Sequence, residues 1–320
     1  MPDISEVNGT AISNLAEVDG LTVSGGGAFL LDQSYASGAE AAYSVRQLRT
    51  GETISMRVRR DTGGGAGDDD EADVAFDTFL STPTISLNSA ISNASSGVTA
   101  TTLGQFINVG TVNGTTYTNP DSLTVTASCF VDEWKDQSGN GNDAEQNTAG
   151  SQPQIHSGTV NTDLITNGGK PALQGGRYEA VSGITLSSDW SSFEVYNSNG
   201  DQTFCTYGGG PSSAYAPISI NNLSAAGYRD FGVPSFYKNG SSITISTMDD
   251  AHTELAINST LLLSIVEAGT STWGNFYINS FNNGSFTFGG LMQEQIFFGV
   301  DNISNRSDIE TNINNYFSIY

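Results

Sequence analysis

Carboxylates are the side chains in this sequence with the clearest capacity for chemistry. Glu194 and Glu294 each fall within a strand-forming run, and each stands alone there. Asp132-Glu133 and Asp249-Asp250 are adjacent pairs, and neighbours on a strand point to opposite faces. Cleaving a glycosidic bond takes two carboxyl groups, about 5 Å apart for retention or about 6.5–9.5 Å for inversion. An E-x-D-x-x-E triplet, which would aim three carboxylates into one cleft, does not occur. The motifs therefore argue against an enzyme, and a glycan-degrading hydrolase stands as the alternative.

Other chemistries have less support. His156 and His252 stand apart, with no H-E-x-x-H or C-x-x-C pattern that would hold zinc. Gly208-Gly209-Gly210-Pro211 lacks the Gly-Lys-Ser/Thr of a phosphate loop. Cys129 and Cys205 read as free thiols, because a secreted disulfide scaffold carries more cysteines. No cofactor is expected. Calcium is the one ion for which the sequence offers oxygens, at Asp68, Asp69, Asp70 and Asp73, but oxygen count without fixed geometry gives little affinity. That Gly-rich acidic stretch, 63–71, reads as a flexible insertion. In Asp136-Gln137-Ser138-Gly139-Asn140-Gly141-Asn142-Asp143 the EF-hand spacing is missing, so Asp136, Asn140, Asn142 and Asp143 are expected to cap turns. Tyr207, Tyr215, Tyr228 and Trp273 lie near Gly/Ser-rich turns and are the candidates for stacking on sugar faces. Arg46, Arg49, Arg57, Arg59 and Arg60 crowd into one stretch, as a patch for a neighbouring copy or as a solvated face with weak local ion pairs.

The elements that must position these groups are β-strands. The chain has 320 residues, 37 of them glycine, with 37% hydrophobic and 10% aromatic content. It carries 34 acidic and 11 basic side chains, a formal charge of −23. Such a polyanion repels nucleic acid and anionic lipid. No run is long enough to span a bilayer. Met1-Pro2-Asp3-Ile4-Ser5-Glu6 has no signal-peptide character, so synthesis and folding in the cytoplasm are expected. Residues 4–24 hold a tandem repeat in which Asn8-Gly9 and Asp19-Gly20 sit between β-type residues, as in hairpin turns. Residues 1–27 are expected to form a β-ribbon docking segment, with Ile4, Val7, Ile12, Leu15, Val18 and Val23 as its contacts, and residues 28–320 one domain. A short helix is expected over Ala39–Leu48. Strands are expected at 54–59, 74–76, 122–132, 193–196, 203–207, 216–220, 234–238, 242–247, 255–266, 274–279, 284–288 and 293–299. Asn239-Gly240 should turn a hairpin. Ser307-Asp308-Ile309-Glu310 reads as the capping box of a closing helix whose Ile309, Ile313 and Tyr316 form an apolar stripe. The fold expected is an all-β, two-sheet antiparallel sandwich.

Two stretches resemble a known family. Phe130 to Ala144, with Gln152-Pro153-Gln154-Ile155 and Asn167-Gly168-Gly169-Lys170-Pro171-Ala172-Leu173 downstream, resembles concanavalin A-like (LamG-type) jelly rolls. Gly289 to Phe298 and Asn305 to Phe317 are similar to the last strand and closing helix of those domains. Ala42–Leu48, Met56–Arg60 and Asp73–Phe76 look like the N-terminal part of α-L-arabinofuranosidase B-type domains, without a matching catalytic motif. The combination resembles virion proteins of marine tailed bacteriophages. The resemblance implies a jelly-roll sandwich with a short C-terminal helix and an N-terminal β leader. It also implies a non-enzymatic structural protein of the virion, in tail, fibre or capsid decoration. Its partners would be other virion proteins, host-surface glycan and further copies of itself in a homo-oligomer, with no nucleic acid and no membrane insertion.

Overall fold

Runs of β-branched and aromatic residues form one large antiparallel sheet. The computed structural model describes residues 29–179, 189–200, 235–266, 277–281 and 286–320 continuously, with short pieces between them and four two-residue strands before residue 29. The main strands are β1 (Ala39–Ser44), β2 (Ile54–Asp61), β3 (Glu71–Ala75), β4 (Ser128–Trp134), β5 (Gln154–Ser157) and β6 (Leu173–Gln174). They continue with β7 (Ser191–Asn197), β8 (Ser235–Lys238), β9 (Ser241–Ile243), β10 (Leu261–Val266) and β11 (Leu291–Phe298). Their order is β9-β8-β10-β7-β11-β6-β5-β4-β2-β3, ending on Ile91–Ser92. Among the described residues three α-helices accompany them: α1 (Leu103–Ile107), α2 (Met248–Leu255) and α3 (Arg306–Phe317). The all-β, sandwich-like class is as expected.

Strand β11 is the hub. On one edge it pairs with β7, so that Glu194 faces Gln295 and Val195 faces Glu294, with a bulge before Tyr196. On the other edge it pairs first with β6 and then with β1, where Glu294 faces Ser44 and Gln295 faces Tyr43. One buried apolar cluster joins the sheet's two halves, from Met56, Val58 and Val131 through Trp134 to Phe193, Val195 and Ile296. Such burial is the main favourable term in folding. Tyr43 and Trp134 pack 5.7 Å apart, and Phe193 meets Phe298 edge-on at 5.9 Å. Helix α3 buries Ile309, Ile313, Tyr316 and Phe317, which is the expected stripe.

Several local expectations are corrected. Ala39–Ser44 is a strand and not a helix, because its small side chains fit a position paired with β11 and almost wholly buried. Alanine's helix preference is worth only tenths of a kcal/mol per residue, and tertiary pairing overrides it. The strand expected at 122–132 starts at Ser128; Val125 is exposed, while Cys129 and Val131 are buried as the alternation required. Residues 248–255 form α2, capped by Thr247 with Asp250, so Asp249-Asp250 sit in a helical first turn rather than on a strand. Helix α3 starts at Arg306 with Asn305 as a cap that makes no side-chain bond, so Ser307 lies inside the helix instead of capping it. The Asn239-Gly240 hairpin forms as expected, with φ of 52° and 78° at the turn. Glu6–Val7 pairs with Thr10–Ala11 and Glu17–Val18 with Leu21–Thr22, one short pair in each leader repeat.

The Asp136–Asp143 loop works as a surrogate strand on the free edge of β1. Asp136 accepts from the Ala42 amide at 2.9 Å, and the Gln137 amide donates to the Ala42 carbonyl at 2.8 Å. Asn140 and Asn142 donate side-chain amides to the Ala39 and Glu40 carbonyls. The Gln137 side chain accepts from Leu48 N and donates to the Ser44 and Arg46 carbonyls. Edge groups that would otherwise stay unpaired are satisfied. Asp136 and Asp143 cap turns as expected, whereas the two asparagines bridge to another strand.

Candidate functional site

The centre of β11 reads Gln293-Glu294-Gln295, three fully buried polar residues in a row. Strand alternation sends Glu294 to one face and Gln295, with its cross-strand partner Glu194, to the other. The two glutamates meet different surroundings. Glu294 accepts from Arg46 Nε at 2.7 Å and Nη2 at 3.0 Å, and from Ser44 Oγ at 2.7 Å. Arg46 reaches Asn312 on α3 and packs over the rings of Tyr316 and Phe317. Glu294 is thus a bidentate, hydrogen-bonded buried ion pair that ties β1, β11 and α3 together.

Glu194 has no such partner. It is fully buried, and neither carboxyl oxygen makes a hydrogen bond. Burial pushes its pKa up to about 8; the Thr206 hydroxyl and the Gln295 amide lie close enough to lower it in part, but neither reaches bonding geometry. The carboxyl is therefore protonated at neutral pH. Two linked residues hold more unused polar atoms: Oε1 of Gln295 and both side-chain amide atoms of Asn279. The Thr206 carbonyl links them, accepting from the Gln295 side chain at 2.8 Å and the Asn279 amide at 2.7 Å. Asn279 holds a left-handed φ of 57°, which asparagine tolerates better than most residues. Tyr196 lies near enough that Glu194, after burial, raises its phenol pKa further. Each buried group without a partner costs about 1–3 kcal/mol, so such a gathering needs an explanation.

The other candidates fall elsewhere. Tyr215, Tyr228 and Trp273 lie outside the described residues, and Tyr207 is on a two-residue strand paired with Tyr277–Ile278. Ile4, Ile12, Leu15 and Val23 lie outside the described residues too, as do Cys205 and most of 216–220, while Val7 and Val18 are in the leader strands. The carboxylates of Asp68, Asp69, Asp70 and Asp73 are taken up by contacts within the chain. Asp68 accepts from the Thr62 and Gly64 amides, Asp69 pairs with Arg59, Asp70 with Arg60 and Asp73 with Arg57. The arginine patch is consumed inside the chain rather than offered to a neighbour. Arg60, 1% exposed, also bonds Asp121 and the Phe106 carbonyl and packs on the Phe106 ring. Gly67 makes room for it, since a Cβ there would lie 2.5 Å from Arg60 Nη2 at a φ of +72°. His156 is a core residue of β5 whose Nδ1 accepts from the Gly158 amide at 3.1 Å, which leaves Nε2 to donate to the Thr162 carbonyl, and burial pushes its pKa down. Cys129 is a free thiol whose pKa burial pushes up.

Sequence reading placed Glu194 on a strand but missed Gln295, Thr206 and Asn279. A signal existed for the first, because three consecutive polar residues in a buried strand are out of pattern. None existed for the others, which arrive by register across distant segments.

No protein-family model matches the chain, and no curated protein matches it. Among solved structures it is similar to a mutant GH54 α-L-arabinofuranosidase soaked with 4-nitrophenyl α-L-arabinofuranoside, at 12% identity and a TM-score of 0.46, over 89% of this chain and 64% of that one. It is also similar to an arabinofuranosidase complexed with arabinofuranosyl-α-1,2-xylobiose, at 13% identity and a TM-score of 0.41, over 86% and 62%. A third is a GH54 α-L-arabinofuranosidase soaked with a cyclic sulfate inhibitor, at 13% identity and a TM-score of 0.44. The chain spans less than two thirds of these structures' length. The expectation of a non-enzymatic phage virion protein, in tail, fibre or capsid, is corrected: these matches are glycoside hydrolases and none is a virion protein. At this level the likeness carries no residue roles, so the functional argument rests on the Glu194 cluster.

Proposed function

We propose that the protein is a glycoside hydrolase with Glu194 as its catalytic acid. The observation that carries this reading is a fully buried carboxyl with a pKa near 8, at the middle of the central sheet, among unused amide donors and acceptors. A carboxylic acid kept neutral at pH 7 is what protonating a leaving oxygen requires. Glu194 would give its proton to the glycosidic oxygen as the bond to the anomeric carbon breaks, and Gln295 and Asn279 would hold sugar hydroxyls. The Glu194 carboxyl has no exposed surface, so substrate access requires the layer at Thr206 and Asn279 to open. Hydrolysis also needs a second carboxylate. No described charged group enters the Glu194 shift.

The test is hydrolysis of a panel of 4-nitrophenyl and oligosaccharide glycosides, furanosides and pyranosides alike. Wild-type protein should cleave at least one sugar class, with the rate falling above about pH 8 as Glu194 ionises. Glu194→Gln should lose about 10²–10⁴-fold on oligosaccharides. It should lose far less on nitrophenyl glycosides, whose leaving group needs no proton. No cleavage across the panel, or wild-type rates in the variant, would overturn the reading.

A further inference from the structure

Apart from the Glu194 cluster, a cavity of about 390 Å³ opens between the 80–86 segment, the 163–171 hairpin and the end of α3. Small-molecule sites have volumes of this order. One of its side chains is out of balance. Lys170 holds its ammonium 4.4 Å from the centre of the Tyr316 ring, and among the described residues no carboxylate lies within 4 Å of it. By contrast Arg46, Arg57, Arg59, Arg60, Lys135, Lys238 and Arg306 each hold one. Asp163 lines the same cavity but makes no ion pair with Lys170, which leaves the ammonium open to an external anion. The Tyr316 ring also lines the cavity; the residue is 7% exposed and its hydroxyl is sealed inward beside Thr84. The neighbouring Thr84 hydroxyl is committed to the Val45 carbonyl at 2.7 Å.

The remaining wall is polar in a particular way. Ser81, Thr82 and Ser86 bring hydroxyls, and Asp163 brings one carboxylate. Ser86 Oγ donates to Asp77 and accepts from the Asn88 amide, so the reachable hydroxyls are those of Ser81 and Thr82. One cation, two hydroxyls and one hydrogen-bond acceptor suit a polyhydroxylated ligand that carries a single negative charge. A bare inorganic anion would leave the hydroxyl wall unused, and a neutral sugar would leave Lys170 without a counter-charge. We propose that this cavity binds an acidic sugar, a hexuronate unit, with its carboxylate on Lys170 and its hydroxyls on Asp163 and the serine and threonine wall. The proposal is independent of the role of Glu194.

Lys170 is held in place by its backbone, because Gln293 Nε2 donates to the Lys170 and Pro171 carbonyls. Its side chain can therefore be changed without undoing the hairpin. The test is calorimetric titration of the full chain with D-galacturonate, D-glucuronate, the methyl ester of D-galacturonate, D-galactose and acetate. At least one uronate should bind, with the ester, the neutral sugar and acetate each tenfold or more weaker. Lys170→Gln should weaken uronate binding about ten- to a hundredfold, the usual loss for a charge-assisted hydrogen bond. Lys170→Arg should restore most of it. Failure of both uronates to bind, equal binding of galactose or acetate, or unchanged binding in Lys170→Gln would each overturn the proposal.

Discussion

Glu194 and Glu294 occupy adjacent strands of one sheet, are both fully buried, and are one register step apart. Glu294 has a bidentate arginine and a serine hydroxyl; Glu194 has neither and holds its proton to about pH 8. The difference is one of faces. The Glu294 face is closed by α3, which brings Asn312 and the Tyr316 and Phe317 rings around Arg46. The Glu194 face meets backbone and neutral amides from the Thr206 and Asn279 segments. A sheet centre can thus hold a carboxyl as an ion that ties elements together or as an uncharged acid, and the neighbouring element decides which.

The comparison breaks most visibly at Glu294. Glu294→Gln leaves Arg46 buried with no compensating charge, and removing one partner of such a pair costs about 3–5 kcal/mol. Urea denaturation should show that loss, with β1 and α3 losing amide-exchange protection together. A loss below about 1 kcal/mol would mean that Arg46 finds another partner and that the two glutamates are less different than their contacts imply.

Glu194→Gln should act in the opposite direction. The folded pKa of Glu194 is raised above the unfolded value, so between about pH 4 and pH 8 the folded state binds the extra proton and stability falls as pH rises. Glutamine removes that penalty. At pH 8 the variant should be more stable by about 2–4 kcal/mol, and near pH 4 by almost nothing. Denaturation midpoints at both pH values decide the matter. Equal shifts at the two would show that the wild-type carboxyl ionises freely in the fold.

How far the sequence foretold this depends on the range of each interaction. The Asn239-Gly240 hairpin, the strands around 193–196 and 293–299 and the apolar stripe of α3 were legible because each is written in a few neighbouring residues. Ala39–Ser44 misled because its alanines favour helix locally, while its pairing partner lies some 250 residues away. The acidic loop seemed mobile because its arginine partners sit on the strand before it, and spacing alone did not show that they fold back. Glu194 and Glu294 looked solitary for the same reason. What separates them is register and the docking of α3, neither of which is local.

A third carboxylate sharpens the contrast from the intermediate side. Asp132 sits at a bulge between β4 and β2, half-buried, with one oxygen unbonded. Burial pushes its pKa up to about 6, Glu71 pushes it further in the same direction, and Arg57 offsets part of the rise. Arg57 is shared among Glu71, Asp73 and Asp132, at 3.0, 2.8 and 3.9 Å. Glu71→Gln removes a like charge and frees Arg57 for Asp132, so the Asp132 pKa should move down. The Arg57–Glu71 pair itself is partly exposed, and its loss should cost no more than about 1 kcal/mol. Because the Asp132 pKa is raised in the folded state, its unfavourable contribution appears as pH rises from about 4 to 6, and the variant should shrink that slope. Carboxyl NMR titration of Asp132 in the two proteins is the direct measurement. An unchanged or higher pKa in Glu71→Gln would mean that burial alone sets Asp132, placing it with Glu194 rather than between the two glutamates.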